Sequence, residues 1–204
     1  MKHELKIKHL DSQEYQDSWN SMRATISRKP QEDRDEVWLL EHPPVFTIGH
    51  AGSKDNLLES GSIPVIRSDR GGEITFHGPG QLVVYFMINL KRLGWGPKRL
   101  VKELEEIIIN LLKKYDITAS RKPGFPGIFV GQKKIASIGL KIKRGFSYHG
   151  ISLNVDMDMS PFKKINPCGD SSLELTQMTD FVDVSLESVR ESFSRAIEFH
   201  FKAI

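Results

Sequence analysis

The sequence predicts an α+β fold with a mixed, largely antiparallel sheet and flanking helices. Strand patterns cluster in the middle of the chain and helical patterns interrupt them only rarely. This layout is typical of an α+β protein and not of a doubly wound sheet. Residues 81–90 (QLVVYFMINL) are almost continuously apolar, as expected of a central strand that is covered on both faces.

The composition predicts a single domain spanning residues 1–204. Hydrophobic residues make up 39% of the chain and charged residues 27%, which is typical of a globular protein. The net charge of +3 is too small to indicate nucleic acid, although basic clusters such as Lys98-Arg99 and Lys163-Lys164 would attract an acidic partner if they shared one face. A single cysteine, no signal-peptide pattern and no apolar run of membrane length predict a cytoplasmic protein with neither membrane nor nucleic acid as partner.

The first elements are a strand over residues 6–10 and a helix. Asp11 with Glu14 resembles a capping box, and the helical face that follows is formed by Tyr15, Trp19, Met22 and Ile26. This helix is expected to end near Lys29-Pro30. Strands are then predicted at 36–41, 45–48, 64–67 and 73–77, the last two on either side of the turn SDRGG.

The second half is predicted to contain two helices separated by three strands. Pro97 can open a helix at its first position, with an apolar face formed by Val101, Leu104, Ile108, Leu111, Leu112 and Tyr115. The three strands cover 127–130, 134–143 and 146–153, and Arg144-Gly145 joins the last two as a hairpin. A final helix begins near Ser185, with its inward face formed by Leu186, Val189, Phe193, Ile197 and Phe201.

The densest candidate site is the segment 70–81 (RGGEITFHGPGQ). Its glycine groups, Gly71-Gly72 and Gly78-Pro79-Gly80, allow a left-handed backbone and the close approach of a ligand. Amides that such turns expose can bind a phosphate, a carboxylate or a developing oxyanion. A purely structural hairpin would need neither Arg70 nor His77, so we favour a binding role. The segment is neither a Walker loop nor a dinucleotide fingerprint, because no GK[ST] follows and the glycines do not open a helix.

A second candidate is the strand KKIASIG (133–139). Lys134 begins an apolar run in which Ala136, Ser137 and Gly139 are small, which leaves room for a ligand beside the strand. A lysine at the mouth of an apolar groove favours the thiolate form of a nearby cysteine. A lone lysine at this position is, however, more often an ordinary strand-edge residue.

The one cysteine, Cys168, lies in INPCGD (165–170), whose neighbouring residues are typical of a turn and not of a core. A single cysteine is a pattern of catalytic nucleophiles when a base or cation lies near it, although alone it is more often structural. His149, in SYHGISLN, is by the same standard more often structural. The histidines have no metal-ligand spacing with Cys168, so we expect no metal site.

Six segments occur together, and in this order, in one known family. They are EHPPVFTIG (41–49), RGGEITFHGPGQLVVY (70–85), PGIFV (126–130), KKIASIGLKI (133–142), HGISLNV (149–155) and INPCG (165–169). Through them the chain resembles the lipoyl(octanoyl) transferases of lipoate biosynthesis over most of its length. Phe129 stands where that family commonly has a tryptophan, and Ser152 where alanine is common.

The resemblance implies a fold like the catalytic domain of biotin- and lipoate-protein ligases, and it implies a catalytic pair of Cys168 and Lys134. Cys168 would take an octanoyl group from acyl carrier protein and pass it to a specific lysine of a lipoyl domain, in E2 subunits of 2-oxoacid dehydrogenases or in the glycine cleavage H protein. No cofactor is implied. The implied substrate-binding residues are Arg70, Gly71, Gly72, Glu73, Ile74, Thr75, Phe76, His77, Ser137, Ile138, Gly139, Gly150, Ile151 and Ser152. Residues with possible supporting roles are Gly78, Gln81, His149 and Asn154.

Three other classes of function stay open. An ATP-dependent lipoate- or biotin-protein ligase on the same fold would activate its acid as an adenylate and would have no use for a nucleophilic Cys168. A thiol hydrolase would pair Cys168 with His77 or His149 and release free acid. A non-catalytic carrier-protein or nucleic-acid binding module would need exposed aromatic residues among its basic clusters, and the sequence offers none.

Overall fold

The computed structural model describes residues 4–28 and 34–202. In chain order its elements are β1 (Glu4–Ser12), α1 (Tyr15–Arg28), β2 (Arg34–Glu41), β3 (Val45–Ile48), β4 (Val65–Arg67), β5 (Ile74–His77), β6 (Gln81–Met87), α2 (Leu90–Leu93), α3 (Pro97–Lys113), β7 (Ser120–Lys122), β8 (Phe125–Val130), β9 (Lys133–Lys143), β10 (Phe146–Asn154) and α4 (Leu186–Lys202). Short 3₁₀ turns lie at Lys54–Asn56, Ser160–Lys164, Pro167–Gly169 and Met178–Asp180.

The strands form two sheets, one of seven strands in the order β1-β2-β6-β10-β9-β8-β7 and one of three in the order β4-β3-β5. Only the pairs β1/β2 and β3/β4 are parallel among the described strands, and all other neighbours are antiparallel. The predicted α+β class with a mixed, largely antiparallel sheet is confirmed. No helix in the described ranges is long and apolar enough to span a membrane.

Strand β6 is the centre of the large sheet and contributes to a hydrophobic core on each face. Alternate side chains point to opposite faces of a strand. One set, Leu82, Val84 and Phe86, packs with the apolar residues of α3 and α4. The other set, Val83, Tyr85 and Met87, packs with Met22 and Ile26 of α1. The prediction that this strand is covered on both faces is confirmed.

Several predicted boundaries shift for identifiable reasons. The capping box at Asp11 is wrong, because β1 continues to Ser12 through its pairing with β2. Strand β6 ends at Met87 and not at Leu90, since the Asn89 side chain accepts a hydrogen bond from the Arg92 amide and caps α2. The predicted helix end near Lys29-Pro30 lies outside the described residues.

The small sheet holds the segment that carries the cysteine. Its strands form a third apolar cluster with residues of the loop after β10: Phe46, Ile48, Ile74, Phe76, Met157, Phe162 and Ile165. Leu57 pairs with Ile165, and the Asn166 amide donates to the Asn56 carbonyl at 2.8 Å. The turn at Pro167–Gly169 is therefore fastened to the chain on its N-terminal side.

We predict that Gly80→Ala destabilises the fold far more than Gly131→Ala. Both glycines have left-handed φ values, +83° and +59°, but a Cβ on Gly80 would lie 1.8 Å from the Asp156 carbonyl oxygen while one on Gly131 meets nothing within 4 Å. Gly131→Ala should cost about 1–2 kcal/mol of unfolding free energy from backbone strain, and Gly80→Ala about 3 kcal/mol or more. Urea unfolding of both variants measures this, and equal losses would contradict the packing argument.

Candidate active site

A cavity of about 450 Å³ lies between the small sheet and strands β9 and β10 of the large sheet. The predicted site residues that line it are Arg70, Gly71, Gly72, Glu73, Ile74, Thr75, His77, Lys134, Ser137, Ile138, Gly139, His149, Gly150, Ile151, Ser152 and Cys168. Four predicted residues are absent from this lining: Phe76, Gly78, Gln81 and Asn154. Phe76 packs in the apolar cluster of the small sheet instead.

Lys134 and Cys168 meet at this cavity although 34 residues separate them. Lys134 Nζ lies 3.2 Å from Cys168 Sγ, and the Lys134 side chain is buried, with 3% of the residue exposed. The ammonium also lies 5.7 Å from the centre of the Phe129 ring, within the range of a cation–π interaction. Lys133 points away to solvent and pairs with Glu174 at 3.3 Å.

A β-bulge turns Lys134 toward the cavity. Phe129 of β8 pairs with Lys134, whereas Ile128 pairs with Ala136, so Ile135 is one extra residue on β9. Simple alternation would place Lys134 on the same face as Ala136, which is packed in the core. The extra residue allows Ile135 and Ala136 both to reach that core while Lys134 and Ser137 line the cavity.

Two neighbouring segments leave space for Lys134 and hold its backbone. Gly127 has a φ of +123°, and a Cβ there would lie 2.5 Å from Lys134 Cε and 2.4 Å from the Ala136 carbonyl oxygen. On the other side, the Lys134 amide donates to the Glu174 carbonyl at 2.9 Å, and the Thr176 amide donates to the Lys134 carbonyl at 3.0 Å. These contacts fix the main chain of Lys134, from which its side chain extends to the thiol.

The cysteine lies on a tight and strained turn. Cys168 is a free thiol with a left-handed φ of 57°, a conformation that side chains other than glycine adopt rarely. The turn closes with hydrogen bonds from Gly169 to the Asn166 carbonyl and from Asp170 to the Pro167 carbonyl. Such local strain often occurs at functional sites, and the prediction that Cys168 lies in a turn is confirmed.

The glycine loop packs directly against β9. The Gly71 amide donates to the Leu140 carbonyl at 3.0 Å, and a Cβ on Gly139 would lie 2.8 Å from the Gly71 oxygen. Of the two glycine groups, only Gly71-Gly72 lines the cavity. The Gly80 amide instead donates to a Glu41 carboxylate oxygen at 2.8 Å, so this part of the predicted ligand-binding segment serves the fold.

Arg70 is a buried cation at the wall of the cavity. Its Nε and Nη2 donate to the hydroxyl and carbonyl oxygens of Thr47 at 2.9 and 2.6 Å, and its Nη1 donates to the Gly71 carbonyl at 3.0 Å. Burial lowers the pKa of the Arg70 guanidinium, and electrostatic interactions with Tyr15 and Cys168 act in the opposite direction. Arg70 therefore adds positive charge to the surroundings of the thiol.

The two histidines of the cavity are engaged with other residues. His77 contacts Gln81 through Nδ1 at 2.7 Å and Thr47 through Nε2 at 3.3 Å, and burial holds its pKa well below the ordinary value. His149 Nε2 lies 2.8 Å from Asp69, and burial lowers its pKa despite that carboxylate. In the described part of the chain, Cys168 has a hydrogen bond to Lys134 and none to a histidine.

Asp69 is one of several site residues that the sequence did not indicate. Burial alone would raise its pKa, but hydrogen bonds from His149 and Tyr148 outweigh this and lower the pKa to about 2. Tyr15 was assigned to a helical core face, and it in fact lines the cavity. Asp69 lies in the turn SDRGG, Thr47 in the segment EHPPVFTIG and Gly127 in the segment PGIFV, but the sequence analysis assigned none of the three to the site.

No group of three or more His, Cys, Asp or Glu side chains suited to hold a metal ion occurs within residues 4–28 and 34–202. The groups at the cavity instead include one thiol, that of Cys168, and two basic side chains, those of Lys134 and Arg70. This set suits nucleophilic attack on a carbonyl group and stabilisation of the negative charge that develops on its oxygen.

Comparison with solved structures identifies the scaffold. Lipoate-protein ligase A bound with ATP superimposes with a TM-score of 0.76 at 17% sequence identity, covering 98% of this chain and 86% of the ligase. Biotin protein ligase from Aquifex aeolicus in complex with biotin and ATP gives a TM-score of 0.59 at 15% identity, with coverage of 97% and 70%. These likenesses confirm the fold expected from the resemblance.

Comparison of sequences identifies the family. The model of the lipoyl protein ligase A/B catalytic domain matches residues 14–198. An octanoyltransferase from Shewanella sp. (strain W3-18-1) is 52% identical over 173 residues, which is 85% of this chain and 80% of that protein. An octanoyltransferase from Vibrio atlanticus is 48% identical over 192 residues, with coverage of 94% and 88%. The chain therefore belongs to the lipoyl protein ligase A/B catalytic domain family and, within it, to the octanoyltransferases.

Proposed function

We propose that this chain is an acyltransferase that moves an octanoyl group from acyl carrier protein, through a thioester on Cys168, to a lysine of a lipoyl domain. The observation that carries the mechanism is the 3.2 Å contact between Lys134 Nζ and Cys168 Sγ beside a largely apolar cavity. A nearby cation favours the thiolate, which is the nucleophilic form of cysteine.

In the first half-reaction, the Cys168 thiolate attacks the carbonyl carbon of the octanoyl thioester. A new carbon–sulfur bond forms to Cys168, the bond to the donor sulfur breaks, and the departing thiolate takes a proton from the Lys134 ammonium. The positive charge of Arg70, which lines the cavity, is available to stabilise the intermediate oxyanion. One thioester replaces another, so the free-energy change of this exchange is close to zero and no ATP is needed.

In the second half-reaction, the neutral ε-amine of the acceptor lysine attacks the acyl-enzyme. An amide bond forms, the Cys168 thiolate departs, and neutral Lys134 takes up the proton that the amine loses. Lys134 and Cys168 thereby return to their starting charges. An amide is more stable than a thioester, so this step pulls the whole transfer forward.

The cavity supports an aliphatic substrate. Apolar side chains line it on the β9 and β10 side, together with the small residues Ser137, Gly139 and Gly150. An acyl chain that lies there would remove apolar surface from water, worth about 0.8 kcal/mol per buried CH₂ group. Such a contribution favours binding a chain of several carbons over a short acyl group.

The partners follow from the reaction. Acyl carrier protein is the proposed donor, and lipoyl domains of 2-oxoacid dehydrogenase E2 subunits and the glycine cleavage H protein are the proposed acceptors. Acyl carrier protein is acidic, so the basic clusters of the surface would attract it electrostatically. A reducing compartment such as the cytoplasm would keep Cys168 as a thiol.

We predict that incubation with octanoyl-carrier protein increases the intact mass of the chain by one octanoyl group and that hydroxylamine removes it. Cys168→Ala should gain no such adduct, because the thiol is the proposed acceptor of the acyl group. The ligase alternative is tested by incubating Cys168→Ala with lipoate, ATP and a lipoyl domain, and we expect this variant to attach no lipoate. An adduct on another residue, or ligation by this variant, would refute the cysteine mechanism.

We predict opposite outcomes for the two adjacent lysines. Lys134→Ala should reduce octanoyl transfer about a hundred-fold or more and slow alkylation of Cys168 by iodoacetamide at pH 7, because a free cysteine is only a few per cent thiolate there. Lys133→Ala removes the same charge from a solvent-facing side chain and should change both rates little. A larger effect of Lys133→Ala on alkylation would disprove the assigned strand register.

We predict that Gly127→Ala disturbs catalysis by displacing Lys134. The added methyl group would overlap Lys134 Cε and the Ala136 carbonyl, and a displacement of about 1 Å at a reacting group can cost about a hundred-fold in rate. Gly131→Ala, another left-handed glycine with open space around it, is the matched control. Transfer rates and melting temperatures are measured together, and equal activity of the two variants would contradict the role of Gly127.

A further inference from the structure

Five buried side chains form a continuous chain of hydrogen bonds behind the cavity: Arg70, Thr47, His77, Gln81 and Asn154. The successive distances are 2.9 Å from Arg70 Nε to Thr47 Oγ1, 3.3 Å from Thr47 Oγ1 to His77 Nε2, and 2.7 Å from His77 Nδ1 to Gln81 Oε1. Gln81 Nε2 then lies 2.9 Å from Asn154 Oδ1, and Asn154 Nδ2 lies 3.0 Å from the Thr176 carbonyl oxygen.

Two backbone carbonyls fix the direction of every bond in this chain. The carbonyl of Thr176 can only accept, so the atom of Asn154 that faces it must be the amide nitrogen. The carbonyl of Phe76 likewise faces Gln81 Nε2 at 3.2 Å. A flipped amide at either residue would place two acceptors against each other.

The same logic assigns the proton of His77. Gln81 Oε1 accepts, so His77 Nδ1 carries the hydrogen and Nε2 is left as an acceptor. The Thr47 hydroxyl donates to that Nε2, which leaves the Thr47 oxygen free to accept from Arg70 Nε. All five bonds therefore run in one direction, from the Arg70 guanidinium to the Thr176 carbonyl.

The two ends of the chain lie at the two sides of the proposed reaction centre. Arg70 lines the cavity beside the glycine loop. Thr176 belongs to the segment that pairs with the start of β9, and its amide donates to the Lys134 carbonyl at 3.0 Å. The side chains that link them are held in four different strands: β3, β5, β6 and β10.

We propose that this chain of hydrogen bonds positions the site by coupling Arg70 to the main chain of Lys134. Thr47 and Asn154 are then positioning residues that touch no substrate. The proposal rests on the acyl transfer proposed above. Hydrogen bonds that run in one direction in a dry interior strengthen one another, and a broken link leaves buried polar groups unpaired. Loss of one link should therefore reduce the order of both ends.

The charged and titratable groups around His77 favour the neutral ring that the chain requires. Tyr15 of α1 stacks on it, His42 lies edge-on to it, and Arg70 and His149 act on it electrostatically. Burial and the positive charge of Arg70 both oppose a proton on Nε2. A neutral His77 can accept from Thr47, whereas a protonated ring would offer two donors and reverse that bond.

The test uses Thr47→Val, which removes one hydroxyl and keeps the shape of the side chain. We expect kcat for octanoyl transfer to fall about ten- to a hundred-fold with KM for octanoyl-carrier protein within about two-fold, and Thr47→Ser to restore most of it. Thr25→Val makes the same chemical change at a buried site on α1 and should leave transfer unchanged. Wild-type kcat in Thr47→Val would overturn the proposal, as would a loss that Thr47→Ser fails to restore.

A second measurement needs no substrate and separates this proposal from the acyltransferase itself. Long-range ¹H–¹⁵N spectra, assigned with a His77→Gln variant, should show His77 of the unmodified protein protonated at Nδ1 and bare at Nε2 from pH 6 to 8. In Asn154→Asp, which still accepts from Gln81 but cannot donate to Thr176, the His77 signals should shift. A proton on Nε2 in the unmodified protein would overturn the chain even if transfer is active.

Discussion

The contact between Lys134 and Cys168 is the interaction on which the rest of the site depends. A buried ammonium is costly unless a negative or polarisable partner compensates for it, and the thiol 3.2 Å away is such a partner. Each residue also needs an unusual local backbone. The lysine requires an extra residue in β9, and the cysteine requires a left-handed turn. The two local distortions have a common result, which is a lysine and a thiol in contact beside an apolar cavity.

The fold compensates for these distortions with contacts far from the thiol. The 174–176 segment fixes the main chain of Lys134 from one side, while Gly127 leaves space on the other. The cysteine turn is fastened through Asn166 to Asn56, next to the small sheet. Because these supports come from separate parts of the chain, the pair forms only when both sheets have packed. This explains how a short contact between residues 34 positions apart can be maintained without a disulfide or a metal.

The sequence predicted the secondary structure and the candidate catalytic residues better than it predicted the contacts between strands that bring those residues together. A nearly continuous apolar run predicted the central strand, and turn residues predicted the loop at Cys168, because both patterns reflect local preferences. The bulge at Ile135 was not predictable, since it follows from pairing with β8 and leaves no mark in the order of the residues. Asp11 was misread as a helix cap for the same reason, because pairing with β2 extends the strand past it. Thr47 looked like an ordinary strand residue until its hydroxyl was seen between Arg70 and His77.

The likeness to ATP-binding ligases shows how one scaffold can serve two kinds of acyl chemistry. Fold alone does not decide the reaction, and the ligases share this one at 17% identity or less. A ligase must form an activated acid, whereas a thioester donor arrives already activated. A protein using such a donor needs a nucleophile that can hold the acyl group while one partner leaves and the next arrives. In the proposed mechanism, the turn at Pro167–Gly169 supplies that nucleophile, and the bulged strand supplies the lysine that exchanges its proton. In that mechanism, two local features of the backbone, on a fold shared with ligases, distinguish thioester chemistry from the ATP-dependent activation of an acid.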